Sequence, residues 1–342
     1  MRLLFIYLIF LFSTSRLFAQ AADSLYYFSN PTDSLVGVKT GAGKIIIPAR
    51  YRDYGQIDGS SSIKDDIIIM MAFSKNDSSA AYSYGDAYNR QGTFLYHPLL
   101  FDNGPDYFSE ELCRCVADGK AGFVNRQGEI VIKPQWGWAT PFNYGYAMVG
   151  TGLYYWDRSK DEEHPPLRPR GATEEFYINA KGERVTPTDR PSSDKDQLAD
   201  GKYLPYPFHY SRQEQQLVDS FNRVELLSKI AFANYASPLK GREARLQFEM
   251  TGRPSTGFPY YRLLAYDWNN GYAAHDDMNF LVNEKGEWFH IDFFDEIKPY
   301  RIWLKEELEA CRDFLAEHPD MPNRFNIDEY LTKEGNLTPK SL

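Results

Sequence analysis

The sequence predicts a mainly β protein: an array of β-hairpin repeats followed by a smaller α+β C-terminal domain. Three observations carry this expectation. The tetrapeptide Asn-Arg-Gln-Gly stands at Asn89–Gly92 and again, unchanged, at Asn125–Gly128, each time between short apolar or aromatic runs. From Ser211 onward the pattern changes, and apolar residues recur at helical spacing. Finally, the 342 residues are 43% hydrophobic and 25% charged, an ordinary folded composition long enough for roughly two domains. The excess of aromatic residues, 16% of the chain, suits thin hairpins whose shared core needs large side chains.

The chain opens with an address. Met1-Arg2 is a short basic start, Leu3–Phe12 is apolar throughout, and Ala19-Gln20-Ala21 is a small-residue cleavage pattern. Ten helical residues rise about 15 Å, half of the hydrocarbon thickness, so the run is too short to span a membrane. Residues 1–21 are therefore expected to be a signal peptide, and the mature protein to be exported, periplasmic or secreted, with no stable membrane span. Its removal takes away Arg2 and Arg16 and no acid, moving the formal net charge from −9 to −11. That sign argues against a nucleic-acid partner.

Residues 22–190 are expected to form the hairpin array. Its units are Val36–Pro48, Asp86–Pro98, Lys120–Pro134 and Phe176–Pro187. In each full copy Asn starts a turn through its side chain, and Gly three residues later supplies the left-handed conformation that closes it. Short β-prone runs on either side make a hairpin, and Pro, which lacks an N–H, is expected to end the second strand. A lone hairpin is marginal in water, so the units are expected to stack. Between the third and fourth units, residues 157–170 are charged and Pro-rich and read as an exposed loop.

At these residues the chain resembles the WG-repeat family. Lys120–Pro134 fits the first part of that family's pattern, and Phe142–Val149, with Gly145 and Ala147, fits its closing part. The Trp that precedes Gly in the family is Ala121 here, and Val36 in the first unit. The resemblance covers about residues 33–190, with one strong unit and three degenerate ones. It implies a binding or scaffolding module and carries no general catalytic residues.

Residues 191–210, rich in Asp, Ser and Pro, are expected to be a linker, and 211–342 the α+β domain. Ser211 with Glu214 is a capping box opening a helix that should run to about Tyr235. Strands are expected around 244–250, 260–266 and 278–291, the last folded at Asn283–Gly286 by the same turn, here without a closing Pro. A helix from about Pro299 to Ala316 carries Leu304, Leu308, Cys311 and Leu315 on one stripe. Cys113 and Cys115 are too close to bridge each other comfortably. Pairing of one with Cys311 or three buried thiols are the alternatives.

Two constellations are candidates for function. Trp136 and Trp138 lie two apart, share a face if extended, and can stack on a sugar ring or anchor a protein. His275, Asp277, His290 and Asp292 flank one predicted hairpin and can provide acid/base chemistry or hold a divalent metal. No H-E-x-x-H, P-loop, EF-hand loop or G-x-S-x-G elbow is present. The expectation is a non-catalytic interaction module of the cell envelope, without cofactor or metal, presenting its repeats to a protein or glycan partner. The alternatives are a hydrolase or metal-dependent enzyme with its site in the C-terminal domain, and a purely structural envelope component.

Overall fold

The computed structural model describes residues 24–32, 34–52, 59–72, 81–159, 166–255, 257–268, 271–293 and 295–331. The expected signal peptide, 1–21, lies outside the described residues. The chain divides into two compact units. One comprises the described residues through Pro141 with Met148–Phe176, the other Phe142–Ala147 with the described residues from Tyr177 on. Among the described residues no helix is long and apolar enough to cross a membrane.

The first unit is built from hairpins. Strands β1 (Leu25–Ser29), β2 (Leu35–Thr40) and β3 (Ile45–Arg52) form a three-stranded antiparallel sheet. Next come β4 (Ile67–Met71), β5 (Gly85–Asn89), β6 (Phe94–Pro98), the two-residue strands β7 (Leu100–Phe101) and β8 (Gly104–Pro105), β9 (Leu112–Ala117), β10 (Lys120–Asn125) and β11 (Ile130–Trp136). Six of these form one sheet in the order β11-β10-β9-β6-β5-β4. Then follow β12 (Trp138–Ala139), β13 (Tyr146–Gly150), β14 (Leu153–Trp156) and β15 (Leu167–Arg170). The pairing of β14 with β15 corrects the expectation of a loop for residues 167–170, where Leu167 returns in register opposite Trp156; residues 160–165 lie outside the described residues.

The turns explain the recurring tetrapeptide. Asn125 Oδ1 accepts from the backbone N–H of Gln127 and Glu129, both at 3.0 Å, while its amide donates to Glu129 Oε2 at 2.8 Å. Gly128 N–H closes the turn on the Asn125 carbonyl, with φ +77° that a side chain would resist. Asn179 and Asn283 make the same bonds, so each hairpin nucleates from four or five consecutive residues.

Pro98 ends β6 as expected, but in two other units proline does something else. β3 and β11 continue through Pro48 and Pro134, and the ladder absorbs each in a bulge. The bulged backbone presses on the facing strand at Gly37 and Gly122. A Cβ on Gly122 would collide with Pro134 N and would lie 2.5 Å from Ile132 O and 2.7 Å from Lys133 C. Only a residue without Cβ fits there. Gly122→Ala is therefore expected to cost about 1–3 kcal/mol through forced backbone displacement, read as a lower denaturant midpoint. A midpoint equal to wild type would contradict the close approach.

On the next rung Ala121 pairs with Trp136. Ala121 is fully buried and the Trp136 ring meets Phe123 at 6.3 Å, so an indole fills the core from the strand opposite the family's Trp position. Cys113 and Cys115 are buried free thiols beside Tyr96 and Val124, and Cys311 is a buried free thiol in the second unit. Burial pushes the Cys115 thiol up to about 12 and the Cys311 thiol up to about 11, which leaves both un-ionised and unreactive at neutral pH.

β16 (Glu175–Asn179) and β17 (Arg184–Val185) form the fourth hairpin through the Asn179 turn, and the second unit continues from Tyr177. The stretch 191–210 carries the hairpin β18 (Gln197–Ala199) to β19 (Lys202–Leu204), and buried Asp196 pins it by accepting from Ser192 N–H, the Ser192 hydroxyl and Tyr206 N–H. Helices α1 (Arg212–Asn222) and α2 (Glu225–Phe232) follow. The capping box at Ser211 and Glu214 is formed, but the single helix expected to Tyr235 is broken. Asn222 turns its amide to the sheet, donating to Phe248 O and accepting from Phe248 N–H, and Val224 leaves the helical conformation. A tertiary contact overrides the periodicity.

The sheet of this unit runs β20 (Leu246–Gly252), β21 (Tyr260–Asp267), β22 (Ala273–Asn283), β23 (Trp288–Ile291) and β24 (Ile297–Pro299), neighbours in that order. Alternation along the strands gives it two apolar faces. Leu263, Ala265, Phe248 and Phe280 pack against α1, α2 and α3 (Tyr300–Glu317), with Phe221 stacked on Trp288 at 3.5 Å. Leu264 and Tyr266 join Tyr144, Tyr206, Phe208 and Tyr272 in a second cluster. The closing stretch of the third repeat, Phe142–Ala147, thus serves the second unit: Tyr144 is fully buried, its ring 5.0 Å from Tyr266 and 4.5 Å from Tyr272. A short helix, α4 (Asp328–Leu331), ends the described chain.

Candidate functional site

The candidate residues divide between two clefts, one in each unit. In the first unit a cleft of about 910 Å³ lies beside β7, β12 and β14, within the ~300–1,000 Å³ range of small-ligand pockets. Its aromatic walls are Trp138, Trp156, Phe101 and Tyr82. Polar groups come from Asp102 and Asn103 in the β7–β8 turn, from Thr140, and from Arg114 and Arg158.

A buried ion pair holds this cleft together. Arg114 Nε donates to Asp106 Oδ2 at 2.9 Å and Nη2 to Oδ1 at 2.5 Å, with both residues 6% exposed. Arg114 N–H also donates to Asp106 Oδ2, and Nη1 donates to the Ala139 carbonyl at 2.9 Å. One side chain therefore ties β9 to the residue that follows β8 and to β12. The guanidinium lies 4.9 Å from the Phe101 ring, which is 42% exposed and meets Tyr107 edge-on.

Trp138 and Trp136 do not share an environment. Trp138 is half-buried, stands opposite Gly150 in register, and meets Tyr154 edge-on at 5.8 Å. Any Cβ on Gly150 would fall on the Trp138 indole, so the glycine makes the ring's seat. The Trp138 Nε1–H is buried and has no hydrogen-bond partner among the described residues, an unpaired donor in the wall of a cleft. Trp136, in contrast, is 4% exposed in the hairpin core and lies outside the cleft, which corrects the expectation of a paired surface. Trp156 takes its place as the second ring. Its Tyr154-Tyr155-Trp156 setting was legible as aromatic, but its approach to Trp138 depends on β14 and β15 pairing.

In the second unit His275, Asp277, His290 and Asp292 all line one cleft of about 530 Å³ between β22, β23, β24, α2 and α3. The turn at Asn283 brings them together, since it sets Phe280 opposite His290. Sequence reasoning missed Trp303 and Glu307, which α3 adds from a distant part of the chain. His290 is 7% exposed, its ring stacked 4.7 Å from Trp303. Its Nε2 lies 3.0 Å from the Asp277 carbonyl, which can only accept, so Nε2 carries the proton and Nδ1 is left with a lone pair. Burial lowers the His290 pKa, favouring that neutral form. Among the described residues no three His, Cys, Asp or Glu side chains group as a metal-ligand set.

Glu307 is half-buried, and burial, then Asp277 and Glu306, raise its carboxyl pKa. A carboxyl with a higher pKa folded than unfolded favours the fold at low pH and opposes it once ionised. Glu307→Gln is expected to raise the melting temperature at pH 7. The gain should disappear as the pH falls below the unfolded carboxyl value of about 4.3. A variant melting below wild type at neutral pH would contradict the repulsion.

Comparison with known proteins locates one repeat. Residues 122–152, from β10 through β13, match the family described as the WG containing repeat, so the third unit is a WG repeat. No curated protein matches the chain. Among solved structures, the chain is similar to Citrobacter koseri AztD at 14% identity, over 81% of this chain and 82% of that one. The TM-score is 0.19, and no argument rests on it.

Proposed function

We propose that this protein is an exported, non-catalytic binding module of the cell envelope, whose repeat unit receives a protein or glycan partner in the aromatic cleft. The observation that carries the reading is the cleft itself: about 910 Å³, walled by Trp138, Trp156 and Phe101 with polar groups at the rim. Flat rings at the wall of a pocket suit the C–H face of a sugar or an apolar side chain, and Arg158, Asn103 and Asp102 supply orientation. Export rests on the basic, apolar and small-residue segments of residues 1–21.

Substitution separates binding from architecture. Trp156→Ala is expected to abolish retention of the partner while leaving the melting temperature within a few degrees of wild type. Trp136→Ala, in the core, is expected to destabilise by about 3–5 kcal/mol. If Trp156→Ala retains the partner unchanged, the cleft is not the binding surface.

A further inference from the structure

Charge and hydrogen-bonding chemistry narrow what the aromatic cleft of the first unit can hold. Three charged residues line it, Asp102, Arg114 and Arg158. Arg114 is neutralised by the carboxylate of Asp106, while Asp102 and Arg158, both exposed, are of opposite sign. The lining therefore carries no net charge and gives a strongly charged ligand no advantage. Its polar groups are arranged in a particular way. Asp102 and Asn103 make up the whole two-residue turn between β7 and β8, with Asp102 at φ +52°. Asn103 Nδ2 donates to Asp102 Oδ1 at 3.2 Å, which leaves the second carboxylate oxygen as acceptor and the second amide hydrogen as donor, side by side. The bonds between Arg114 and Asp106, just beyond β8, hold this turn in place before a ligand arrives. The rings form the other wall. Trp156 shares a strand face with Tyr154, whose ring meets Trp138 edge-on.

We propose, resting on the reading of this cleft as the binding surface, that it takes a neutral glycan. One sugar ring stacks its C–H face on Trp156, and two adjacent hydroxyls of that ring or the next bond the Asp102 carboxylate and the Asn103 amide. A sugar fits on two counts. It is uncharged, like the lining as a whole, and its neighbouring hydroxyls both donate and accept, which matches an acceptor beside a donor. An apolar protein side chain would use the rings equally well, but it would displace water from Asp102 and Asn103 and leave them unpaired, at a cost in affinity.

The test titrates the full chain with maltohexaose, cellohexaose and laminarihexaose as neutral probes, and with hexagalacturonic acid and a chitosan hexamer as charged ones. Calorimetry and tryptophan fluorescence follow binding. Saturable binding of at least one neutral hexaose, tighter than either charged oligosaccharide, is expected. Affinity should fall more than about tenfold in Trp156→Ala and about three- to tenfold in Asp102→Asn. Asparagine tolerates the left-handed turn conformation, so both variants should melt within a few degrees of wild type, which separates lost binding from lost folding. No binding of a neutral hexaose, tighter binding of a charged one, or binding that Trp156→Ala leaves intact would each overturn the proposal. A protein retained from the envelope fraction through Trp156, with no neutral hexaose bound, would overturn the glycan and leave the cleft as a binding surface. Trp156→Ala changing nothing in either assay would overturn both.

Discussion

Replacing Asp106 with Ala is expected to destabilise the first unit by about 3–5 kcal/mol, the range found when one partner of a buried ion pair is removed. The carboxylate accepts from three nitrogens of Arg114 and sits against the Cys113 thiol, and neither charged residue is more than 6% exposed. Without it the guanidinium is left buried beside Phe101 with one bond, to the Ala139 carbonyl. The cost comes from the stranded charge more than from the lost bonds. For that reason Asp106→Leu combined with Arg114→Met should recover most of the stability that Asp106→Ala loses. Urea midpoints of the three variants check this. An Asp106→Ala midpoint matching wild type would show that the pair is not what holds the cleft wall.

In the second unit Glu249→Ala is expected to cost roughly the same, about 3–5 kcal/mol. Glu249 is fully buried, and its Oε2 accepts from the hydroxyls of Tyr206 and Tyr210, both at 2.6 Å. Oε1 accepts from Gln247 Nε2 at 2.7 Å, and Lys195 Nζ stands 3.7 Å away. Burial first, and the Glu249 charge second, raise the pKa of both tyrosines, which keeps them as donors. Alanine would take the acceptor from both half-buried hydroxyls at the junction of β20 with the segment preceding α1, leaving Tyr210 only the bond it accepts from Met250 N–H. Glu249→Gln preserves the shape but turns an amide donor toward hydroxyls already donating, so it should fall between wild type and Glu249→Ala. Near-UV circular dichroism across a denaturant series reads the order, and an Ala variant as stable as Gln would contradict it.

The hairpins were legible because their information is local. Asn125, Gln127, Gly128 and Glu129 fold the turn with their own atoms, and the same bonds recur at Asn179 and Asn283. For the same reason the neighbourhood of His275, Asp277, His290 and Asp292 followed from the Asn283 turn between them. What stayed hidden depends on distant partners. Asn222 ends α1 because it bonds Phe248, 26 residues further on, and no helical periodicity carries that contact. Pro134 reads as a strand end until Gly122 opposite is seen to leave room for its bulge. The Trp138–Trp156 cleft needs β12 and β14 side by side, and Glu307 reaches the second cleft from α3. Trp136 and Trp138, alike in sequence, part because the rung of Trp136 and Ala121 lies in the hairpin core, whereas Trp138, opposite Gly150, lines the cleft.

Side-by-side affinity capture shows whether the aromatic cleft of the repeat unit binds a partner. Wild type, Trp156→Ala and Trp138→Ala, each immobilised as the mature chain, would be exposed to the native envelope fraction, and retained proteins and glycans identified. One reproducible component is expected to be retained by wild type and lost from Trp156→Ala and Trp138→Ala, with the Trp156→Ala melting temperature unchanged within a few degrees. A component held equally by all three, or none held by wild type, would contradict it.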